Sequence, residues 1–238
     1  MTYQTIIAAI AGNDCGTITL NRPERRNAIS ILMRQEISAC LAEWREDGDV
    51  GCVIIAGSGT VFSAGFDLEE FKQVECHAEL LESSSRYHRD LWNFPKPAIA
   101  AVNGPAMGGG FDLACFCDIR LAATTAGFGH PEIKFGAPPL YTPLRWIVGD
   151  GHARELCLTG RRINATEALR IGLVSSVHDP ERMSEEAEKL AATVMEAPAG
   201  ALRYMKQIFI ANGARGFEES FAMEHDRAFR EILLNRFA

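Results

Sequence analysis

An α/β fold with a helical C-terminal segment is predicted by three features of the 238-residue sequence. Residues 52–56 (CVIIA) and 98–102 (AIAAV) are short, wholly apolar runs bounded by turn residues, the pattern of strands covered on both faces. Segments of helical periodicity alternate with such runs through the first two-thirds of the chain, and from Gly149 onward helix-forming composition takes over. Strand–strand–helix units followed by helix argue an α/β core, residues 1–197, and a helical segment, residues 198–238.

In order along the chain, residues 3–10 and 15–20 flank Gly12-Asn-Asp14 and predict a β-hairpin. A loop over 21–27 follows. Ser30 is the expected N-cap of a helix reaching about Trp44, because Ile37, Leu41 and Trp44 recur at helical spacing. The strand 52–56 stops at Gly57-Ser-Gly59, and 61–67 (VFSAGFD) predicts a second strand and small-residue turn, with a helix starting near Leu68. A polar stretch runs through Ser85, then an amphipathic helix that Pro95 and Pro97 end near Phe94. Beyond the strand 98–102 come three glycines, a buried helix over 111–117, and strands at 118–123 and 127–129. Helices are expected over 151–159, 165–171 and 180–197, with a last strand at 173–177. Two C-terminal helices, 199–212 and 217–237, are separated at Gly213 and Gly216.

A formal charge of −7 argues against wholesale binding to nucleic acid or an anionic membrane, which would need a basic face. With no charged N-terminal region leading into an apolar core, and no run of the ~18 apolar residues a membrane span requires, the expectation is a cytoplasmic protein. Seven cysteines, an odd number scattered mostly through apolar segments, predict free thiols. Cys115-Phe-Cys117 lacks metal-site spacing, and neither a P-loop nor a dinucleotide fingerprint is present, so no metal or redox cofactor is expected.

The chemistry concentrates between Ala98 and Glu132. A strand feeding three glycines and then a helix exposes bare backbone at a helix N-terminus, where N–H groups and the positive dipole end favour negative charge. Asp112 falls in the first turn of that helix, and Glu132 follows Gly129-His-Pro131 twenty residues on. Simple close packing would also account for the glycines, and dipole compensation for Asp112. His130 is left as either a packed neighbour, the commoner outcome, or a hydrogen-bonding group in the pocket.

Arg22-Pro23 with Asn27-Ala28, Phe62-Ser-Ala-Gly-Phe-Asp-Leu68, Ala101-Val-Asn-Gly with Gly108-Gly-Gly-Phe-Asp-Leu-Ala114, Asp118-Ile-Arg, Phe128-Gly-His-Pro-Glu132 and Leu158-Thr-Gly160 together resemble the enoyl-CoA hydratase/isomerase (crotonase) family. The resemblance spans nearly the whole chain and implies a spiral of ββα units with C-terminal helices, assembled as a homotrimer or dimer of trimers, acting on acyl-CoA thioesters with no cofactor beyond the substrate's own CoA. It implies an oxyanion hole from the backbone N–H groups of Phe66 and Gly109, catalytic carboxyls at Glu132 and Asp112, and CoA contacts from Arg26, Ala64, Phe66, Asp67, Leu68, Glu69 and Gly109, with Arg22 and Arg25 as further phosphate contacts. In a hydratase of this kind the two acids hold one water, one taking its proton and the other protonating C2.

The sequence departs from the family pattern in three places. Asp112 stands where the hydratases usually carry Glu, which leaves open a double-bond isomerase using Glu132 alone. A dienoyl-CoA isomerase would carry Asp where this chain has Leu140. Gly136-Ala-Pro-Pro-Leu-Tyr-Thr-Pro143 replaces a glycine-rich stretch and puts Tyr141 near the pocket, as in decarboxylating members. The C-terminal segment is shorter than usual for the family, with a more open nucleotide site or altered assembly as the expectation. A non-catalytic acyl-CoA-binding protein is the reading from a different class, because fold alone does not establish function.

Overall fold

Nine strands in two sheets organise the computed structural model, which describes residues 2–11, 14–227 and 229–233. In chain order they are β1 (Ile6–Ala11), β2 (Cys15–Leu20), β3 (Cys52–Gly57), β4 (Ala98–Val102), β5 (Pro105–Met107), β6 (Ile119–Ala123), β7 (Gly127–Gly129), β8 (Ile163–Asn164) and β9 (Ser176–His178). The main sheet has the order β1-β2-β3-β4-β6-β9, antiparallel between β1 and β2 and parallel elsewhere. The smaller sheet, β5-β7-β8, is parallel between β5 and β7 and antiparallel between β7 and β8. The helices are α1 (Ile31–Glu46), α2 (Leu68–Phe71), α3 (His77–Trp92), α4 (Gly109–Phe116), α5 (Thr142–Thr159), α6 (Ala165–Arg170), α7 (Met183–Met195) and α8 (Ala199–Phe221).

Side chains alternate across a strand, so one apolar run feeds two cores. In β3, Val53 and Ile55 join the large core shared with α1, α3, α4 and α5, while Cys52 and Ile54 face α7. α7 answers with Met183, Ala187 and Ala191, one residue per turn on a single stripe. The small alanines let the helix lie close to the sheet.

Most elements fall where the sequence puts them, including the helix after Ser30, whose hydroxyl accepts from Met33 N at 3.2 Å. Five expectations change. Residues 61–64 form no strand of their own; Ser63 makes an isolated bridge to Ala106, and the segment serves as a linker held by main-chain bonds to Pro105 O and Arg26 O and by the side chains of Asn27 and Ser63. The stretch expected to be irregular up to Ser85 is already helical from His77, because its polar residues Glu79, Glu82 and Arg86 are the solvent face of α3 while Leu80, Ser84, Tyr87 and Leu91 face inward. α8 runs through Gly213 and Gly216 to Phe221, a mid-helix glycine costing only ~1 kcal/mol relative to alanine. Past it the backbone is π-helical over Ala222–Arg227 and Phe229–Leu233. The end of the predicted 217–237 helix lies outside the described residues. α5 starts nine residues earlier than expected and crosses a kink at Gly149 (φ 76°). β9 is shifted a few residues past the predicted 173–177.

α8 is tied to the main sheet by charge. Lys206 Nζ lies 2.8 Å from each carboxylate oxygen of Asp118, and Asp118 Oδ2 accepts from Ala98 N at 2.8 Å. Lys206 keeps only 6% of its side chain exposed, so removing its counter-charge is costly. Asp118→Ala is expected to lower unfolding free energy by about 3 kcal/mol in urea denaturation, and Lys206→Met in that background to recover part of the loss. A double variant as unstable as the sum of the two singles would show the groups uncoupled.

Candidate active site

Two backbone segments meet at the start of α4. The first is held from the loop over 22–28, where Arg26 and Asn27 adopt left-handed φ values of 52° and 51°. Asn27 is fully buried; its amide donates to Ser58 O (2.9 Å) and Val61 O (2.8 Å), and its own carbonyl accepts from Ser63 Oγ (2.8 Å). Ser63 Oγ in turn accepts from Gly65 N (3.2 Å), and Ala64 N donates to Arg26 O (2.9 Å). The second segment is the glycine run. Gly65 (φ 95°) lies so close to it that a Cβ would fall 2.8 Å from Met107 O and 3.3 Å from Gly109 N. A Cβ on Gly109 would stand 2.7 Å from the Phe66 ring, and one on Gly110 would strike Ser63.

This contact brings the Gly109 backbone up against Gly65 and the Phe66 ring. Gly108 O takes the N–H groups of Phe111 and Asp112, and Gly108 N donates to Gly129 O (2.9 Å). Among the described residues, Phe66 N–H and Gly109 N–H meet no acceptor. The Phe66 ring is braced by the Arg34 guanidinium, 4.7 Å from its centroid, and flanked by Phe71 and Phe229. Arg34 is itself buried, its pKa lowered to about 10 by burial against the opposing pull of Glu70, whose Oε2 is 3.5 Å away. Glu70 also takes Ile31 N at the start of α1, which links the two helices beneath the ring.

The carboxyls arrive from two different elements. Asp112, 8% exposed, is in the first turn of α4, and Glu132 is in the first turn of the 3-10 helix Pro131–Phe135, which Pro131 opens. Gly108 (φ 51°) lets Glu132 close in, since a Cβ there would be 3.2 Å from Glu132 Oε2. Between the acids stands His130, 0% exposed and stacked on Phe111 with centroids 4.7 Å apart. Its Nδ1 is 2.8 Å from Glu132 Oε1, and its Nε2 is 3.7 Å from Asp112 Oδ1. Glu132 Oε2 is buried without a hydrogen-bond partner. Burial works against a charged His130, but the Asp112 carboxylate and the Glu132 hydrogen bond outweigh it and raise the ring's pKa above 6.5.

Asp112, His130 and Glu132 offer ligand atoms within 4.8 Å of one another. Nδ1 is committed to Glu132 and Nε2 lies 3.7 Å from Asp112, so as arranged the trio is a His–Glu hydrogen bond with a second carboxyl nearby rather than a set of lone pairs converging on an ion.

Of the predicted site residues, the structure gathers Ala64, Phe66 and Gly109 around the two amides, with Arg26 joined through Ala64. Asp67, Leu68 and Glu69 continue outward as the start of α2: Asp67 caps it by accepting from Glu69 N, Leu68 is 66% exposed, and Glu69 pairs with Lys72. Arg22 does not reach outward; its guanidinium donates to Ala28 O and Asp67. Tyr141 donates to Asp150 (2.9 Å), so its hydroxyl is already engaged on α5. His130, which the sequence leaves open between packing and hydrogen bonding, does both: it stacks on Phe111 and bonds Glu132. The support roles of Asn27 and Arg34 have no local signature.

Acceptor-free amides at a helix start beside a buried carboxyl, on stacked ββα units, define an acid/base enzyme of the crotonase fold. Residues 11–231 match the family model for enoyl-CoA hydratase/isomerase, and the chain belongs to that family. It is 37% identical over 241 residues to a probable enoyl-CoA hydratase of Rhizobium meliloti, covering 95% of this chain and 93% of the relative. A probable enoyl-CoA hydratase of Bacillus subtilis is 35% identical, covering 88% and 84%. Among solved structures, an enoyl-CoA hydratase/isomerase from Xanthobacter autotrophicus Py2 superposes with TM-score 0.85 at 34% identity, covering 98% of this chain and 87% of that one.

Gly108→Ala tests the close approach. Its φ is one that L-residues avoid at a cost of about 1–3 kcal/mol, and the new methyl would press on Glu132. The variant is expected to melt several degrees lower and to lose turnover; a melting temperature equal to wild type would contradict the packing described.

Proposed function

We propose that the protein is an enoyl-CoA hydratase, adding water across the 2,3 double bond of an enoyl-CoA thioester. The observation that carries this reading is the pairing of two acceptor-free amides, Phe66 N–H and Gly109 N–H, with a buried, unpaired carboxylate oxygen, Glu132 Oε2. The thioester carbonyl oxygen takes both amides. Glu132 Oε2 accepts a proton from the attacking water as the water's oxygen bonds to C3, and the C2=C3 electron pair moves toward the carbonyl. Charge collecting on the carbonyl oxygen is stabilised by several kcal/mol by donors already in place, helped by the dipole of α4. The proton on Oε2 then passes to C2, so one hydroxyl and one hydrogen are added and the carboxylate is restored. Asp112 accepts the water's other hydrogen and fixes its position. Arg26, Ala64, Phe66, Asp67, Leu68, Glu69 and Gly109 supply the CoA contacts, and the chemistry calls for no further cofactor.

Glu132 Oε2 on its own would also suit moving a proton between C2 and C4, which keeps double-bond isomerisation as the second reading. Assembly as a homotrimer, or two such trimers, is part of the same proposal, supported by the large apolar groups that Leu158, Tyr204 and Phe209 leave exposed. So is a cytoplasmic setting, supported by the seven free cysteines. Among the described residues no helix is long and apolar enough to cross a membrane.

A panel of enoyl-CoA thioesters followed by mass spectrometry separates the readings: hydration gains the mass of one water and isomerisation gains none. Glu132→Gln is expected to cut kcat by about a hundred- to ten-thousandfold with KM little changed, and Asp112→Asn to abolish most hydration. No mass gain with any chain length would remove the hydratase reading, and full turnover in Asp112→Asn would remove Asp112 from the mechanism.

A further inference from the structure

Nothing in the reaction as drawn uses His130, yet it is the most completely enclosed ionisable group in the site. Its Nδ1 lies at hydrogen-bond distance from Glu132 Oε1, its Nε2 is buried and turned toward Asp112 at 3.7 Å, and its ring is stacked on Phe111. A histidine kept only for packing would not be expected to separate two carboxyls from different elements. We propose that His130 is a positioning residue: it clamps Oε1 of Glu132 and so dedicates Oε2 to proton transfer with the acyl carbons, while Asp112 holds the far side of the ring.

Three observations fit this role. Glu132 has one oxygen bonded and one buried oxygen free, the asymmetry a single-oxygen proton shuttle needs. The stacking on Phe111 fixes the ring plane, so the carboxylate orientation is set by packing rather than by solvent. The charged groups facing the ring are Asp112 from α4 and Glu132 from the 3-10 helix, and together they keep it protonated to higher pH than a free histidine. Because the folded value is raised, the stability this charge contributes is complete below pH 6.5 and is lost as pH climbs through the folded value.

The inference rests on the hydratase reading for its reaction but not for its geometry, and the experiment separates the two. His130→Asn keeps a donor nitrogen where Nδ1 stands but carries no charge; His130→Leu removes both. Expected are a kcat about a hundredfold lower in His130→Leu with KM within a few-fold, and recovery to within about tenfold of wild type in His130→Asn. The neutral ring still keeps Nδ1–H on Oε1, so wild-type kcat should fall by no more than about tenfold as the ring gives up its second proton. NMR of the wild-type ring should show it titrating above 6.5 and moving down in Asp112→Asn or Glu132→Gln. Unaltered kcat in His130→Leu, a His130→Asn no more active than His130→Leu, or a ring whose titration does not move in Glu132→Gln would each overturn the clamp. A wild type that hydrates no thioester removes the hydratase reading alone, and the titration of the ring then decides the clamp by itself.

Discussion

The whole site depends on how near two stretches of backbone can come to each other. The chain around Gly65 and the chain around Gly109 approach to a distance at which a single Cβ, on either side, would collide with main-chain or ring atoms. The same rule operates at the back of the linker, where a Cβ on Gly104 would fall 2.0 Å from Thr60 O and one on Gly57 would strike Val61 O. Residues 57–66 are thus wedged between glycine-bearing surfaces from β3, β4 and α4. That wedge brings together two segments some forty residues apart, each carrying an amide that meets no acceptor among the described residues.

Leaving donors unspent next to a core requires that their surroundings be unusually rigid, and here rigidity comes from buried polar groups rather than from the apolar core alone. Asn27 uses its amide and carbonyl to hold three points of the linker. Arg34 carries its charge beneath the Phe66 ring, compensated by Glu70, Ser83 Oγ and Ile29 O. A lone buried guanidinium would be destabilising, so the cluster holds together only as a set. The π-helical stretch that follows α8 closes the other side of the ring through Phe229, and is pinned to α3 by His225 with Ser84 and by Asp226 with Arg89. Hydrogen bonds from His225, Ser85 and Arg89 hold Asp226 far below the ordinary carboxylate range despite partial burial.

The sequence makes the scaffold legible because apolar strands such as 98–102 and caps such as Ser30 are local signals. The amide pair is legible for a related reason: glycines at 65, 108 and 109 are costly in a strand or helix start unless something must pass close by. Residues 77–85 escape because a helix half exposed and rich in Ser and Glu has the composition of a loop, and only its packing on α1 and α4 reveals the inward stripe. His130 escapes for a deeper reason. Whether a histidine two positions before an acid faces that acid depends on the 3-10 turn opened by Pro131 and on where α4 places Asp112, and neither is encoded in the spacing.

The position of His130 also constrains how protons can travel. A histidine between two carboxyls invites the idea of a wire, in which Asp112 gives a proton to Nε2 while Nδ1 gives one to Glu132. Such a wire leaves the imidazole in the opposite tautomer after each passage, and resetting it requires either rotation of the ring or a second transfer in reverse. Rotation is blocked, because the ring is fully enclosed and lies at 28° to Phe111 with centroids 4.7 Å apart. A cycle confined to Glu132 Oε2 has no such debt: the oxygen takes a proton from water, returns it to carbon, and ends as it began. The geometry therefore favours a carboxylate that works through one oxygen, held in place by a histidine that itself need not turn over.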